Sequence, residues 1–91
     1  MTSVTVVVDN QPGVQGLASE WGLALWIEHR GQAILYDTGQ GPALLPNLAA
    51  LGLDPARLTA VVISHGHMDH IGGLAPLLKA RGGEPLPVWC H

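Results

Sequence analysis

The 91-residue chain has room for one small domain, and its 47% share of hydrophobic residues is typical of a globular protein. Only 12% of the residues are charged, against about 25% in typical domains, so apolar faces are left that can meet more protein or another copy of the chain. The net charge of −3 with four basic residues argues against nucleic-acid binding, the single cysteine excludes an internal disulfide, and no apolar run approaches the ~20 residues of a membrane span. We therefore predict a cytoplasmic protein without nucleic-acid or membrane partners, and with self-association through its apolar faces as an expectation.

Three strands are predicted in the first part of the chain. Residues 4–8 are largely β-branched and indicate a buried strand, and the apolar content of residues 21–28 suits a second one. Residues 29–32 contain a glycine and predict a four-residue hairpin turn. Residues 33–36 then form a third strand, which is most simply antiparallel to the second.

A helix with a stripe of leucines is predicted after the third strand. Pro42 suits the first turn of this helix, and Gly52 suits its end. Between these two residues the leucines recur at helical spacing, at Leu44, Leu45, Leu48 and Leu51. Asp54 and Pro55 then predict a short turn that is capped by the aspartate.

The last part of the chain follows the order strand, loop, helix, strand. Residues 60–64 predict a fourth strand, residues 71–80 a helix, and residues 85–89 the beginning of a fifth strand. The chain stops within two residues of that fifth strand. We therefore predict that residues 1–91 form one partial domain that is truncated at its C-terminus.

The densest chemistry lies between the fourth strand and the helix. Three of the five histidines and an aspartate fall within six consecutive residues, as His65, His67, Asp69 and His70. Imidazole and carboxylate ligands suit zinc, manganese or ferrous iron. In an extended loop His65 and His67 point the same way and can share one ion, while Asp69 and His70 can hold a second. The alternative is a polar surface loop that happens to be rich in histidine.

Two segments resemble a known family. Residues 64–74, Ser-His-Gly-His-Met-Asp-His-Ile-Gly-Gly-Leu, resemble the H-x-H-x-D-H signature of the metallo-β-lactamase superfamily, and residues 34–39, Ile-Leu-Tyr-Asp-Thr-Gly, resemble its hydrophobic-Asp-Thr-Gly segment. The resemblance covers essentially the whole chain, which corresponds to the N-terminal part of such a domain. It implies an α/β fold, namely the N-terminal half of a metallo-β-lactamase-type αβ/βα sandwich.

The resemblance also implies a function and roles for individual residues. It implies a metal-dependent hydrolase in which hydroxide held by two zinc ions attacks an ester, amide or phosphoester-like small-molecule substrate, with Mn²⁺ or Fe²⁺ as alternative metals. His65 and His67 would bind the first ion, and Asp69 and His70 the second. Asp69 would also orient or deprotonate the attacking water, and Asp37 would support a ligand histidine.

Other parts of the family pattern are missing or altered. The ligands that family members contribute from later segments have no counterpart, and His91 lies too soon after the loop to match the next of them. Residues 8–10, 18–23 and 37–40 resemble the dihydropterin–ribofuranosylaminobenzene phosphate synthase-like branch, with Asn10 and Glu20 as candidate pocket residues. For both residues a polar role in a turn or loop is the alternative. Trp21 stands where that branch usually has histidine, which leaves the substrate open.

Two other interpretations remain. Residues 37–39, Asp-Thr-Gly, also resemble the catalytic loop of retroviral-type aspartic proteases, in which Asp37 would act in a dimer. The helix predicted after Pro42 and the unexplained histidine cluster argue against that reading. The second alternative is an inactive fragment that binds metal weakly or serves only in association, so the activity of the 91-residue chain alone is left open.

Overall fold

A computed structural model of the chain describes residues 2–8, 22–39, 41–64, 72–82 and 84–90. In this part of the chain one sheet has the strand order β1-β2-β3-β4-β5. Its strands are β1 (Thr2–Val8), β2 (Ala24–His29), β3 (Gln32–Tyr36), β4 (Leu58–Ile63) and β5 (Val88–Cys90). The helices are α1 (Leu44–Ala50), the 3₁₀ turn Pro55–Arg57 and α2 (Leu74–Ala80).

The hairpin between β2 and β3 confirms the predicted antiparallel pairing, but its turn is shorter than predicted. His29 and Gln32 are paired strand residues, so only Arg30 and Gly31 remain in the turn. Their φ angles of 52° and 79° are both positive. Two left-handed residues define the type I′ turn, whose twist matches that of the flanking strands.

The predicted leucine-striped helix α1 connects β3 to β4, which pair in parallel. Leu44 and Leu48 are buried in the core. Asn47 is buried on the same helix, and its side-chain amide donates to the Val7 carbonyl oxygen at 2.7 Å. Gly52 ends the helix as predicted, with a φ of 71°, because a left-handed residue lets the next amides reach the last carbonyls.

The bounds of the last strands and of the last helix differ from the predictions. Strand β4 begins at Leu58 and ends at Ile63, so Ser64 lies outside the strand. Helix α2 begins at Leu74 rather than residue 71, since Gly72 and Gly73 form a turn in front of it and glycine disfavours helix. Strand β5 covers Val88–Cys90 rather than 85–89, because prolines in the segment before it lack the N–H that a ladder requires.

The two faces of the sheet differ in what covers them. The covered face includes Trp26, Leu35 and Val61, which join α1 and α2 in one buried cluster. The opposite face, here called the open face, presents two rows of side chains across the strands. The first row is Val6, Leu25, Tyr36, Val62 and Trp89, and the second is Val4, Ile27, Ile34 and Ala60.

The prediction that residues 4–8 form a buried strand is wrong for most of its length. Val4 is 58% and Val6 47% exposed, whereas only Val7 and Val8 are buried. The physical reason is that β1 lies at an edge of the sheet and the helices pack on the other face. None of the helices within the described ranges is long and apolar enough to cross a membrane.

Candidate functional site

Asp37 lies directly after β3, at the carboxyl end of the parallel strands. It is fully buried, and its own N–H donates to the Val62 carbonyl oxygen at 2.8 Å, one residue beyond the β3–β4 register. Its φ of 60° is left-handed, a conformation that aspartate tolerates better than most non-glycine residues. This backbone turn lets the chain leave the sheet while the carboxylate stays against β4.

Both carboxylate oxygens of Asp37 accept hydrogen bonds from Ser64. Oδ1 accepts from the Ser64 backbone N–H at 2.7 Å, and Oδ2 accepts from the Ser64 hydroxyl, also at 2.7 Å. A buried carboxylate needs such partners, and hydrogen bonds to a charged acceptor are stronger than neutral ones. Because Ser64 directly precedes His65, Asp37 holds the beginning of the predicted metal-binding segment.

Thr38, the next residue, holds the other end of the same segment. It is also fully buried, and its hydroxyl oxygen accepts from the Gly73 backbone N–H at 3.1 Å. A Cβ atom at Gly73 would overlap the Thr38 carbonyl oxygen and come within 2.9 Å of Leu44 Cδ2. Glycine is therefore required at residue 73 by close approach, although its φ of −85° is ordinary.

A groove lies beside Ser64, at the carboxyl ends of β3, β4 and β5. Its volume is about 340 Å³, and it is lined by Tyr36, Val62, Ile63, Ser64, Trp89 and Cys90. In open sheets of this kind ligands bind outside the carboxyl ends of the strands. The groove therefore offers a mainly apolar surface next to the segment that carries the predicted metal ligands.

Of the predicted site residues, Asp37 is the one that lies within the residues that the structure describes. His65, His67, Asp69 and His70 lie outside the described residues, and so do the possible pocket residues Asn10 and Glu20 as well as His91. The ligand and pocket assignments thus stay predictions. Within the ranges that the structure describes, no group of three or more His, Cys, Asp or Glu side chains could hold a metal ion.

Sequence reasoning identified Asp37 but missed its partner Ser64 and the second pair, Thr38 and Gly73. Each pair is far apart along the chain, with separations of 27 and 35 residues. A signal for both exists in the sequence, since Thr38 follows Asp37 and a glycine pair follows the histidine cluster. Only the fold brings these signals together.

Comparisons with known proteins agree with this geometry. The family model described as the metallo-beta-lactamase superfamily matches residues 22–88. A ribonuclease Z from Agathobacter rectalis is 34% identical over 84% of the chain and 26% of its own length. The 7,8-dihydropterin-6-methyl-4-(beta-D-ribofuranosyl)-aminobenzene-5'-phosphate synthase of Methanocaldococcus jannaschii is 32% identical over 80% of the chain and 26% of its own length.

A solved structure gives the same result for the fold. The metallo-beta-lactamase fold protein YhfI from Bacillus subtilis superposes with a TM-score of 0.73 and 27% identity, over 99% of this chain and 38% of that one. The chain therefore spans about a quarter of the length of these curated relatives and 38% of this structure. The predicted family resemblance and fold class are confirmed, and a protein of the predicted branch is among the relatives.

Proposed function

Because the chain belongs to the metallo-beta-lactamase superfamily, we propose that it is the metal-binding N-terminal part of a hydrolase with two zinc ions. The family generally binds divalent metals and includes hydrolases. The observation that carries the proposal for this chain is the paired hold of Asp37 on Ser64 and of Thr38 on Gly73. A buried carboxylate and a buried hydroxyl that bind the backbone at residues 64 and 73 fix both ends of the segment between them, and a metal site requires such support.

The donor set between Ser64 and Gly73, a stretch called here the held segment, suits such a site. In this proposal His65 and His67 bind one ion, and Asp69 and His70 bind the second, with Mn²⁺ or Fe²⁺ as alternatives to zinc. Divalent metal at this place would polarise an oxygen of the scissile bond and lower the pKa of a water molecule.

The remaining roles belong to the chain's own groups. Asp69 orients the attacking water or takes its proton, and Asp37 keeps the first ligand histidine in place through the backbone of Ser64. The apolar groove beside Ser64 binds part of a small-molecule substrate with an ester, amide or phosphoester-like bond. Ribonuclease Z among the relatives favours testing phosphodiesters first.

The whole activity is a proposal about a longer domain. The curated relatives are about four times as long as the region that they share with this chain, which covers 26% of each. We propose that the remaining ligands come from those further segments. The same coverage favours a second candidate, in which the 91-residue chain binds metal without turnover. A cytoplasmic location is part of the proposal, and the exposed free thiol of Cys90 suits a reducing compartment.

Metal content per chain tests the ligand assignment. The His67→Ala variant should lose most of the bound zinc after reconstitution and desalting, as measured by inductively coupled plasma mass spectrometry. His29→Ala is the matched control, because His29 is exposed in the β2–β3 hairpin, at the opposite end of β3 from Asp37. An unchanged zinc content in His67→Ala would contradict the ligand assignment. Equal losses of zinc in both variants would mean that the zinc is bound nonspecifically.

Hydrolysis assays separate the two candidate functions. Phosphodiester, lactone and thioester substrates are offered to the zinc-loaded chain with and without a chelator. Turnover that the chelator abolishes and zinc restores supports the hydrolase, whereas bound zinc without turnover supports the fragment. A peptide substrate is offered as well, because hydrolysis of a peptide that continues with the chelator but stops with a pepstatin-type inhibitor would point to Asp37 as part of an aspartic-protease-like dimer.

A further inference from the structure

Helix α2 is held at both of its ends. It begins at Leu74, directly after Gly73, whose N–H donates to the Thr38 hydroxyl oxygen at 3.1 Å, just beyond the carboxyl end of β3. The helix is followed by Arg81, whose guanidinium reaches the amino end of β4. With seven residues, α2 is about 10 Å long. The helix therefore connects the end of the sheet that carries the held segment with the opposite end.

The guanidinium of Arg81 joins three separate parts of the backbone. Nη1 donates to the carbonyl oxygens of Pro55 at 2.8 Å and Leu58 at 3.2 Å, and Nη2 donates to that of Pro85 at 2.9 Å. Pro55 lies in the 3₁₀ turn before β4, Leu58 begins β4, and Pro85 precedes β5. A planar fork of donors fixes both the position and the direction of a side chain, which a single ammonium group does not. Arg81 therefore ties the end of α2 to the points where the chain enters two parallel strands.

One nitrogen of the same guanidinium has no acceptor. The Nε atom is buried and makes no hydrogen bond within the described part of the chain. A buried unpaired donor costs free energy, whereas hydrogen bonds from a charged donor to carbonyl oxygens are strong enough to offset that cost. The orientation of Arg81 therefore follows from the backbone carbonyls that it binds.

A continuous series of hydrogen bonds runs through α2 between its two ends. The Gly73 carbonyl oxygen accepts from the Leu77 N–H at 3.0 Å, and the Leu77 carbonyl oxygen accepts from the Arg81 N–H at 3.2 Å. At the first end the helix has no room to move towards the turn after β3, because Gly73 approaches Thr38 and Leu44 too closely for a Cβ atom. A displacement at one end of α2 is therefore passed on to the other end.

We propose that Arg81 is a positioning residue for the held segment: from the opposite end of the sheet it sets the position of α2 along its axis, and α2 in turn fixes Gly73. The effect on metal binding rests on the proposed function, whereas the effect on Gly73 does not. The competing explanation is that Leu77, which is fully buried, places the helix alone and that Arg81 stabilises only the turns beside it. In that case the loss of Arg81 would lower the global stability without a change at Gly73.

Amide hydrogen exchange of the metal-free chain tests the connection. Arg81→Met removes the three carbonyl contacts but keeps an apolar stem, and the protection of the Gly73 amide should fall about tenfold. Lys79→Met is the control for the loss of a positive charge in the last turn of α2, and it should leave that protection unchanged. Val8→Ala is the control for global stability, because Val8 is buried in β1 at the far edge of the sheet. It should accelerate the exchange of the slowest amides and not that of Gly73.

A milder variant covers the case in which Arg81→Met does not fold, as judged by circular dichroism. Arg81→Lys keeps the charge and can still donate to part of the set of carbonyl oxygens. It should show the same pattern of exchange as Arg81→Met, with a smaller loss of protection at Gly73.

The zinc affinity of the folded variants tests the consequence for the site. Competition with a chromophoric chelator should show a dissociation constant about fivefold higher in Arg81→Met and an unchanged one in Lys79→Met and Val8→Ala. Unchanged protection of Gly73 in the Arg81 variants, or an equal fall in Val8→Ala, would overturn the proposal, and so would a fall in protection without any change in zinc affinity. A parent chain that binds no zinc would refute the proposed function instead, and hydrogen exchange alone would then decide whether Arg81 fixes Gly73.

Discussion

Replacing Asp37 tests whether a buried carboxylate holds the beginning of the predicted metal-binding segment. Asp37→Ala removes the acceptor of both Ser64 hydrogen bonds, which measure 2.7 Å each. A hydrogen bond to a charged group contributes about 1.5–3 kcal/mol, and alanine also tolerates the left-handed φ of 60° less well than aspartate. We expect the free energy of unfolding to fall by about 3–5 kcal/mol, a large part of the total for a small domain.

Asp37→Asn separates charge from shape. Its one carbonyl oxygen can still accept from the Ser64 N–H, and the Ser64 hydroxyl can rotate to accept from the amide. The expected loss is therefore smaller, about 1–2 kcal/mol, because only the charge assistance disappears.

Urea denaturation followed by circular dichroism, in the presence of a chelator, measures both Asp37 variants without a contribution from metal. Asp54→Ala is the matched control, since Asp54 also accepts a backbone N–H, from Ala56 at 2.9 Å, but lies exposed. Its loss should stay near 1 kcal/mol, the usual value for a cap. If Asp37→Ala costs no more than Asp54→Ala, then the carboxylate of Asp37 does not stabilise the position of Ser64.

Two further predictions concern the packing around the segment. Gly73→Ala should lower the free energy of unfolding by about 2–3 kcal/mol, because the added Cβ overpacks against Thr38 and Leu44. Gly31→Ala is the control, since its Cβ meets no atom within 4 Å and it should lose only about 1 kcal/mol through its left-handed backbone. Equal losses in the two variants would contradict the close approach at Gly73. Arg81→Met should cost about 2–3 kcal/mol, because the guanidinium donates to the carbonyl oxygens of Pro55, Leu58 and Pro85 at 2.8, 3.2 and 2.9 Å. Lys79→Met, at an exposed position of α2 two residues before Arg81, is its control, and a matching loss there would refute the role of these bonds.

Local signals explain the features that were predicted correctly. The stripe that begins at Leu44 predicts α1, Gly52 predicts its end, and Asp54 predicts the 3₁₀ turn that it caps through Ala56. Each of these depends on residues within a few positions along the chain, where helical spacing and capping preferences act. The order of strands and helices could therefore be predicted from the sequence alone.

Features that depend on distant residues could not be predicted from local patterns. The valines of β1 predict a buried strand, but burial depends on which face the helices cover, and Val4 and Val6 lie on the other one. The turn beyond β3 is similar, since Asp37 was singled out only through a family resemblance. The glycine pair and the Asp-Thr pair are visible in the sequence, but no local pattern indicates that they meet in the fold.

The adjacency of Asp37 and Thr38 connects the fold to the proposed chemistry. One short turn after β3 holds residue 64 through a carboxylate and residue 73 through a hydroxyl. The end points of the segment are therefore set by the rigid edge of the sheet, and the entropy cost of closing the loop is met by folding rather than by metal binding. Such preorganisation favours high affinity from few ligands. The positions of residues 64 and 73 therefore depend on the buried, left-handed backbone at Asp37.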